Sequence, residues 1–291
     1  MTPYVADPVY LNGQFLPLEE ARVSPLDRGF LYGDGVYEVI PVYSRRPFRI
    51  EEHLRRMQGS LDGIRLANPH GLAAWQAIVA RLVAAAPWED QSIYIQITRG
   101  ADNKRDHAFP PAGVPPTVYA MSSPLVTPSP AQLASGIAAI TVVDNRWLRC
   151  DLKVLALLAN VLLRQQAVEN GCAEALLIRD GLLKEGAASN IFVVSNGVLL
   201  APPKGHLMLP GITYDVVLEL AARHGLASEV REISETELRA ADEVWMTSST
   251  KEILAITSLD GKAVGSGAPG PVGKQMWQWY QDFKNTVMRN G

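Results

Sequence analysis

Strand-like and helix-like segments alternate along most of this chain, and that alternation confines it to a mixed fold. The stretch "GVYEVIPVY" (35–43), rich in β-branched and aromatic residues, predicts a strand. Behind it, "RIEEHLRRMQGSLDGI" (49–64) repeats Ile50, Leu54, Met57 and Leu61 at helical spacing. A helix over 71–86 and strands over 92–98 and 117–122 follow. Between those two strands lies "RGADNKRDHAFPPAGVPP" (99–116), a polar, turn-rich loop of a length that marks functional or disordered segments.

Three prolines and small polar residues in "SPLVTPSPAQLASG" (123–136) predict a linker. Beyond it the pattern predicts a strand at 137–143, a helix over 153–169 that opens on Lys153, and strands at 174–179, 190–195 and 198–200. A helix at 213–225, strands at 243–247 and 253–257 and a last helix at 272–288 complete the chain. The expectation is an α/β (α+β) protein of two domains, 1–122 and 137–291. Its site would lie at the domain junction, where ligand sites are favoured. A chain of 291 residues is long enough for such a division.

Composition narrows the function classes. Apolar residues make up 47 % and charged residues 20 %, with a net charge of −3, so neither nucleic acid nor a membrane surface is an expected partner. The opening "MTPYVADPVY" lacks the basic and apolar regions of a signal peptide, and no apolar run is long enough to span a bilayer. Cys150 and Cys172 alone make neither a disulfide framework nor a zinc site, so no metal is expected. These features predict a reduced, cytoplasmic protein.

Lys153 stands ahead of the apolar run Val154, Leu155, Ala156, Leu157, Leu158. A lysine facing a dry site loses its charge more readily, and its neutral amine attacks carbonyls and forms Schiff bases. A lysine that lays its stem on apolar surface and keeps its head in water would look the same in this run. Other residues have to decide between these readings.

Those residues are "DRGFLYGDGVYEV" (27–39), "RWLRCDLKVLALLANV" (146–161), "KEGAASNIFVV" (184–194), "PGITYD" (210–215) and "TSSTKEI" (247–253). In this order, over nearly the whole chain, they resemble the fold-type IV (class IV) aminotransferases that use pyridoxal 5'-phosphate (PLP). Within that family the match is nearest to the D-amino-acid branch. The resemblance implies that Lys153 holds the cofactor and then acts as base and acid on the substrate Cα. It implies that the Glu185 carboxylate pairs with the pyridine nitrogen and keeps it protonated. Arg56 matches the family's phosphate arginine, although a helical arginine is as readily a surface residue.

Gly211, Ile212 and Thr213 open a predicted helix whose free N–H groups make an anion site. Ser249 and Thr250 would close the phosphate pocket. Leu209 would pack on a ring face, though a plain core leucine reads identically. Ser189 and Asn190 share the Glu185 turn and are expected to help hold the cofactor. The relatives' serines after the "EG" pair are Ala187 and Ala188 here, so any hydrogen bond from those hydroxyls is absent.

For the substrate, Arg105 and His107 in "KRDHAFP" match the Arg-x-His pair that traps the α-carboxylate in the D-amino-acid branch, and Tyr37 matches its tyrosine. The loop is one residue longer here. Arg99 and Glu38 are lesser candidates. The resemblance implies a ping-pong transaminase acting on D-amino acids such as D-alanine with 2-oxoglutarate. It also implies a homodimer in which the 99–116 loop reaches the neighbouring subunit's site. Aminodeoxychorismate lyase, branched-chain L-aminotransferase and (R)-amine transaminase activities are alternatives on the same fold. A PLP binder without catalysis would not need Lys153, Glu185 and the carboxylate trap together.

Overall fold

The computed structural model describes residues 4–290 and divides into two compact units. The first runs to Leu125 and takes in Leu152–Leu157 and the described residues from Val287 onward; the second holds Val126–Asp151 and Leu158–Thr286. The expected second domain, 137–291, therefore gives up two pieces, one of which contains Lys153.

In the first unit β1 (Val9–Leu11), β2 (Gln14–Leu16), a short helix α1 (Arg28–Tyr32), β3 (Gly35–Tyr43) and β4 (Arg46–Pro47) come first. Helices α2 (Ile50–Gly63) and α3 (Leu72–Ala85) follow, then β5 (Gln91–Thr98) and β6 (Thr117–Pro124). The strands form one antiparallel sheet in the order β2-β1-β6-β5-β3-β4. Period-two alternation in "SIYIQIT" buries Ile93, Ile95 and Ile97 completely and leaves Tyr94 and Gln96 half-buried on the other face. Onto the buried face α2 and α3 lay Leu54, Met57, Leu61, Trp75, Ile78 and Val79.

The second unit begins with α4 (Pro130–Ser135), which replaces part of the expected linker. Ser129 and Gln132 make a capping box there, and Pro130 occupies the first turn, where it costs no hydrogen bond. Then come β7 (Ile137–Val143), α5 (Leu158–Glu169), β8 (Glu174–Arg179), β9 (Leu182–Gly186), β10 (Asn190–Ser195), β11 (Val198–Ala201) and α6 (Ile212–Arg223). The unit closes with β12 (Ser228–Val230), α7 (Glu235–Arg239), β13 (Glu243–Ser248), β14 (Glu252–Leu259), β15 (Lys262–Ala263) and α8 (Pro271–Phe283).

Its mixed sheet runs β12-β11-β10-β13-β14-β7-β8-β9, with β15 on β14. β8, next to the edge strand β9, is buried on both faces: Leu176 and Ile178 join one core, Ala175 and Leu177 the other beside Leu163 and Ala167 of α5. That is why "EALLI" is nearly all apolar rather than alternating.

The expected helix at 153 does not form. Residues 153–155 instead extend along the edge of β3 opposite β5: Tyr37 N donates to Lys153 O (3.0 Å), Leu155 N to Gly35 O (3.0 Å), and Val36 bridges Val154. Pairing with an open strand edge satisfies this backbone, so helical propensity loses and α5 starts only at Leu158.

Candidate active site

The extended conformation decides where Lys153 points. Leu152 and Val154 insert into the first core, so the residue between them emerges on the opposite face. There the half-buried Lys153 sets its Nζ 4.0 Å from the centre of the Tyr37 ring, and its backbone N–H donates to Ser60 Oγ (3.0 Å). The ring quadrupole attracts the cationic form of that amine. The apolar run itself does not enclose the lysine, since Ala156 and Leu158 are exposed.

Beside Tyr37 in β3, Glu38 is fully buried and points into the unit. Arg56 grips both of its oxygens through Nη2 and Nε, and His53 Nδ1 stands 3.1 Å from Oε1. Burial alone would raise this carboxyl, but the Arg56 charge and the His53 contact outweigh it and hold the group well below the usual range. Burial pushes the His53 imidazole down, against the pull of Glu38. Arg56, expected on a phosphate, is thus engaged by Glu38.

In the second unit, Glu185 sits where β9 carries one residue more than β8 between Leu183 and Gly186, a bulge that re-aims side chains. The carboxylate is buried. Its Oε1 accepts from Arg146 Nη1 (2.6 Å) and its Oε2 from Leu209 N (3.1 Å). Arg146 is shared: Nε and Nη2 hold Asp144 (2.9 and 3.1 Å), which Arg179 also pairs with (3.1 Å). Burial pushes Glu185 up to about 7, and the Arg146 charge keeps it from rising further. A carboxyl poised there changes charge near neutral pH.

Asn190 Nδ2 donates to Leu209 O (3.0 Å), so Glu185 and Asn190 together fix the backbone of half-buried Leu209. Next to it, Gly211 packs so tightly on Asn190 Oδ1 that a β-carbon would collide. Gly211 is the N-cap of α6 and offers no side-chain cap, which leaves the N–H groups of Ile212 and Thr213 for an anion. Ser249 and Thr250 form the partly exposed turn between β13 and β14. Ser189 departs from expectation: its hydroxyl donates to the buried Glu174 carboxylate (2.7 Å) rather than standing ready for a cofactor. Ala187 is buried against α5 and Ala188 is exposed.

The substrate residues also find unexpected company. Arg105 lies over the Tyr32 ring (5.3 Å), and the His107 ring is 5.3 Å from it. Among the described residues of the chain, both gather on Tyr32 and not on Tyr37. Arg99, a lesser candidate, is committed to Asp34 and to the Ile64 and Arg65 carbonyls. Sequence reasoning misses Arg146, Asp144, Arg179 and His53. The pattern "RWLRCD" gives no sign that its first arginine meets Glu185.

The sequence profile of the family amino-transferase class IV matches residues 35–259. The chain belongs to this family. A D-alanine aminotransferase of Bacillus licheniformis is 41 % identical over 268 residues, 92 % of this chain and 94 % of that one. One from Staphylococcus epidermidis is 36 % identical over 275 residues, covering 94 % and 97 %. Among solved structures, the Escherichia coli branched-chain amino acid aminotransferase superposes with a TM-score of 0.86 at 28 % identity, covering 94 % of this chain and 93 % of that one.

Class IV aminotransferases work with PLP, and each unit supplies groups of a kind that suit it. The chain holds an amine on an aromatic face, a buried carboxylate poised near neutrality and a helix start without a side-chain cap.

Proposed function

We propose that this class IV aminotransferase moves the amino group of a D-amino acid such as D-alanine to 2-oxoglutarate, releasing a 2-oxo acid and forming D-glutamate in a ping-pong cycle. The observation that carries this reading is the 41 % identity, over nearly the full length, to a D-alanine aminotransferase. The structural likeness to a branched-chain enzyme comes with only 28 % identity and favours a second reading, an L-aminotransferase.

When bound, PLP supplies an aldehyde that takes up the amino group and a ring that accepts the electron pair of the Cα–H bond. Lys153 Nζ holds the cofactor, then takes the Cα proton as base and returns it as acid. Ionised Glu185 holds a proton at the ring nitrogen, with Asn190 and the Leu209 backbone bracing it. Arg56, Gly211, Ile212, Thr213, Ser249 and Thr250 would hold the phosphate, and Leu209 would pack against the ring. Arg105 and His107, with Tyr37, take the substrate α-carboxylate, which suits a guanidinium fork.

A homodimer is part of this reading. On α5, Leu158, Val161, Leu162 and Val168 are exposed at helical spacing, the kind of apolar face that a second subunit covers. Among the described residues no helix is long and apolar enough to cross a membrane, and both cysteines are free. A reduced cytoplasmic setting is part of the same proposal.

The test is an assay of the purified, PLP-loaded enzyme with 2-oxoglutarate and either D-alanine, L-leucine or an (R)-amine, and separately with aminodeoxychorismate. Pyruvate from D-alanine at the highest kcat/KM is the expected result. Preference for L-leucine, the (R)-amine or aminodeoxychorismate overturns it.

A further inference from the structure

The turn "DRGFLYGD" (27–34) contains no group given a chemical role above, yet two of its first residues, Asp27 and Arg28, are among the most buried charges in the chain. Their bonds run to one target. Asp27 Oδ2 accepts from Thr98 Oγ1 (2.9 Å) at the end of β5 and from Thr117 Oγ1 (2.6 Å) at the start of β6. Those threonines flank the 99–116 loop, so Asp27 ties its two ends together. Arg28 holds its middle: Nη1 donates to the carbonyls of Asp106 (2.6 Å) and Ala108 (3.1 Å), and Nη2 to that of His107 (3.3 Å).

The guanidinium is itself fixed. Arg28 Nε donates to Asp34 Oδ2 (2.8 Å), and Asp34 also carries the fork of Arg99 at the loop's start. Bonds from these two arginines hold Asp34 below the usual carboxylate range despite burial. Tyr32, one helical turn on from Arg28, receives the side chains of Arg105 and His107 on its ring.

We propose that Arg28 is a positioning residue for substrate recognition. By capturing three successive carbonyls, it fixes the backbone from which Arg105 and His107 project. A guanidinium can do this because its donors form a rigid planar fork, whereas an ammonium presents a single point charge. The proposal rests on the reading that Arg105 and His107 bind the substrate carboxylate.

The experiment compares Arg28→Lys and Arg28→Gln with the parent enzyme, each loaded with PLP. Arg28→Lys keeps the charge beside Asp34, which preserves the fold even if Arg28→Gln fails to accumulate. Hydrogen exchange of amides 105–109 should speed up, and KM for both D-alanine and 2-oxoglutarate should rise about 10-fold or more, since small misplacements of binding groups carry large penalties. Cofactor absorbance should be unchanged and kcat at saturation should fall far less. Unchanged exchange in Arg28→Lys, while Arg105→Ala still raises KM, overturns the role of Arg28 alone. Faster exchange with unchanged KM overturns it by another route, because then the loop does not carry the carboxylate trap.

Discussion

Two buried glutamates in this protein each meet an arginine, and their protonation is driven in opposite directions. Glu38 receives both forks of Arg56 and the His53 ring, and stays ionised far below the usual range. Glu185 receives one nitrogen of Arg146, whose other donors are spent on Asp144, and burial carries it up to about 7. Burial favours the neutral acid in both, so the difference comes from how much of the cation each acid keeps to itself. One pair is a clamp beneath the β3 segment that carries Tyr37. The other is an acid whose charge a ring nitrogen with a neighbouring pKa can share.

The comparison can be broken most easily at Glu38. Glu38→Gln leaves the Arg56 charge without its carboxylate in a buried setting, and the loss should be about 3–5 kcal/mol of stability. Chemical denaturation of the cofactor-free protein measures it; a loss below about 1 kcal/mol would make the clamp an ordinary surface-type pair.

Arg146→Gln sharpens the other side. Without that cation the ionisation of Glu185 should move upward by about 1 unit or more. Infrared difference spectra of the carboxyl band, with Glu185→Gln as the blank, follow this in cofactor-free protein. A midpoint that falls or stays would remove Arg146 as the group that restrains Glu185.

The smallest effect is a pH dependence of stability. An acid raised in the folded state binds its proton more tightly there, so its contribution is fully present below the ordinary carboxylate pKa. It is lost as pH rises through about 7. The stability of the parent relative to Glu185→Gln should therefore decline between about pH 4.5 and 7 and then level off, as thermal unfolding across that window would record. A rise over the same window contradicts the assignment.

What the sequence makes legible follows the range of the forces involved. β3 and α2 lie within a residue of expectation because period and local composition decide them. The motif singles out Lys153 but not its conformation, since a run of leucines and alanines favours helix and only the distant edge of β3 offers a better partner. β9 escapes a reading of the sequence because a five-residue strand holding Lys184 and Glu185 shows no alternation, and its bulge arises from pairing with β8. The motif places Ser189 at the cofactor, whereas its hydroxyl donates to the buried Glu174 carboxylate of β8. The grip of Arg28 on residues 106–108 spans 78 or more positions of sequence, beyond any local pattern.

The most direct test of the whole account follows the Cα hydrogen of D-alanine by proton NMR in deuterated water, with PLP-loaded parent enzyme and Lys153→Ala. The account predicts exchange of that hydrogen by the parent and a loss of about 10²-fold or more in the variant, the size expected when a general base is removed. Exchange at the parental rate in Lys153→Ala would contradict it.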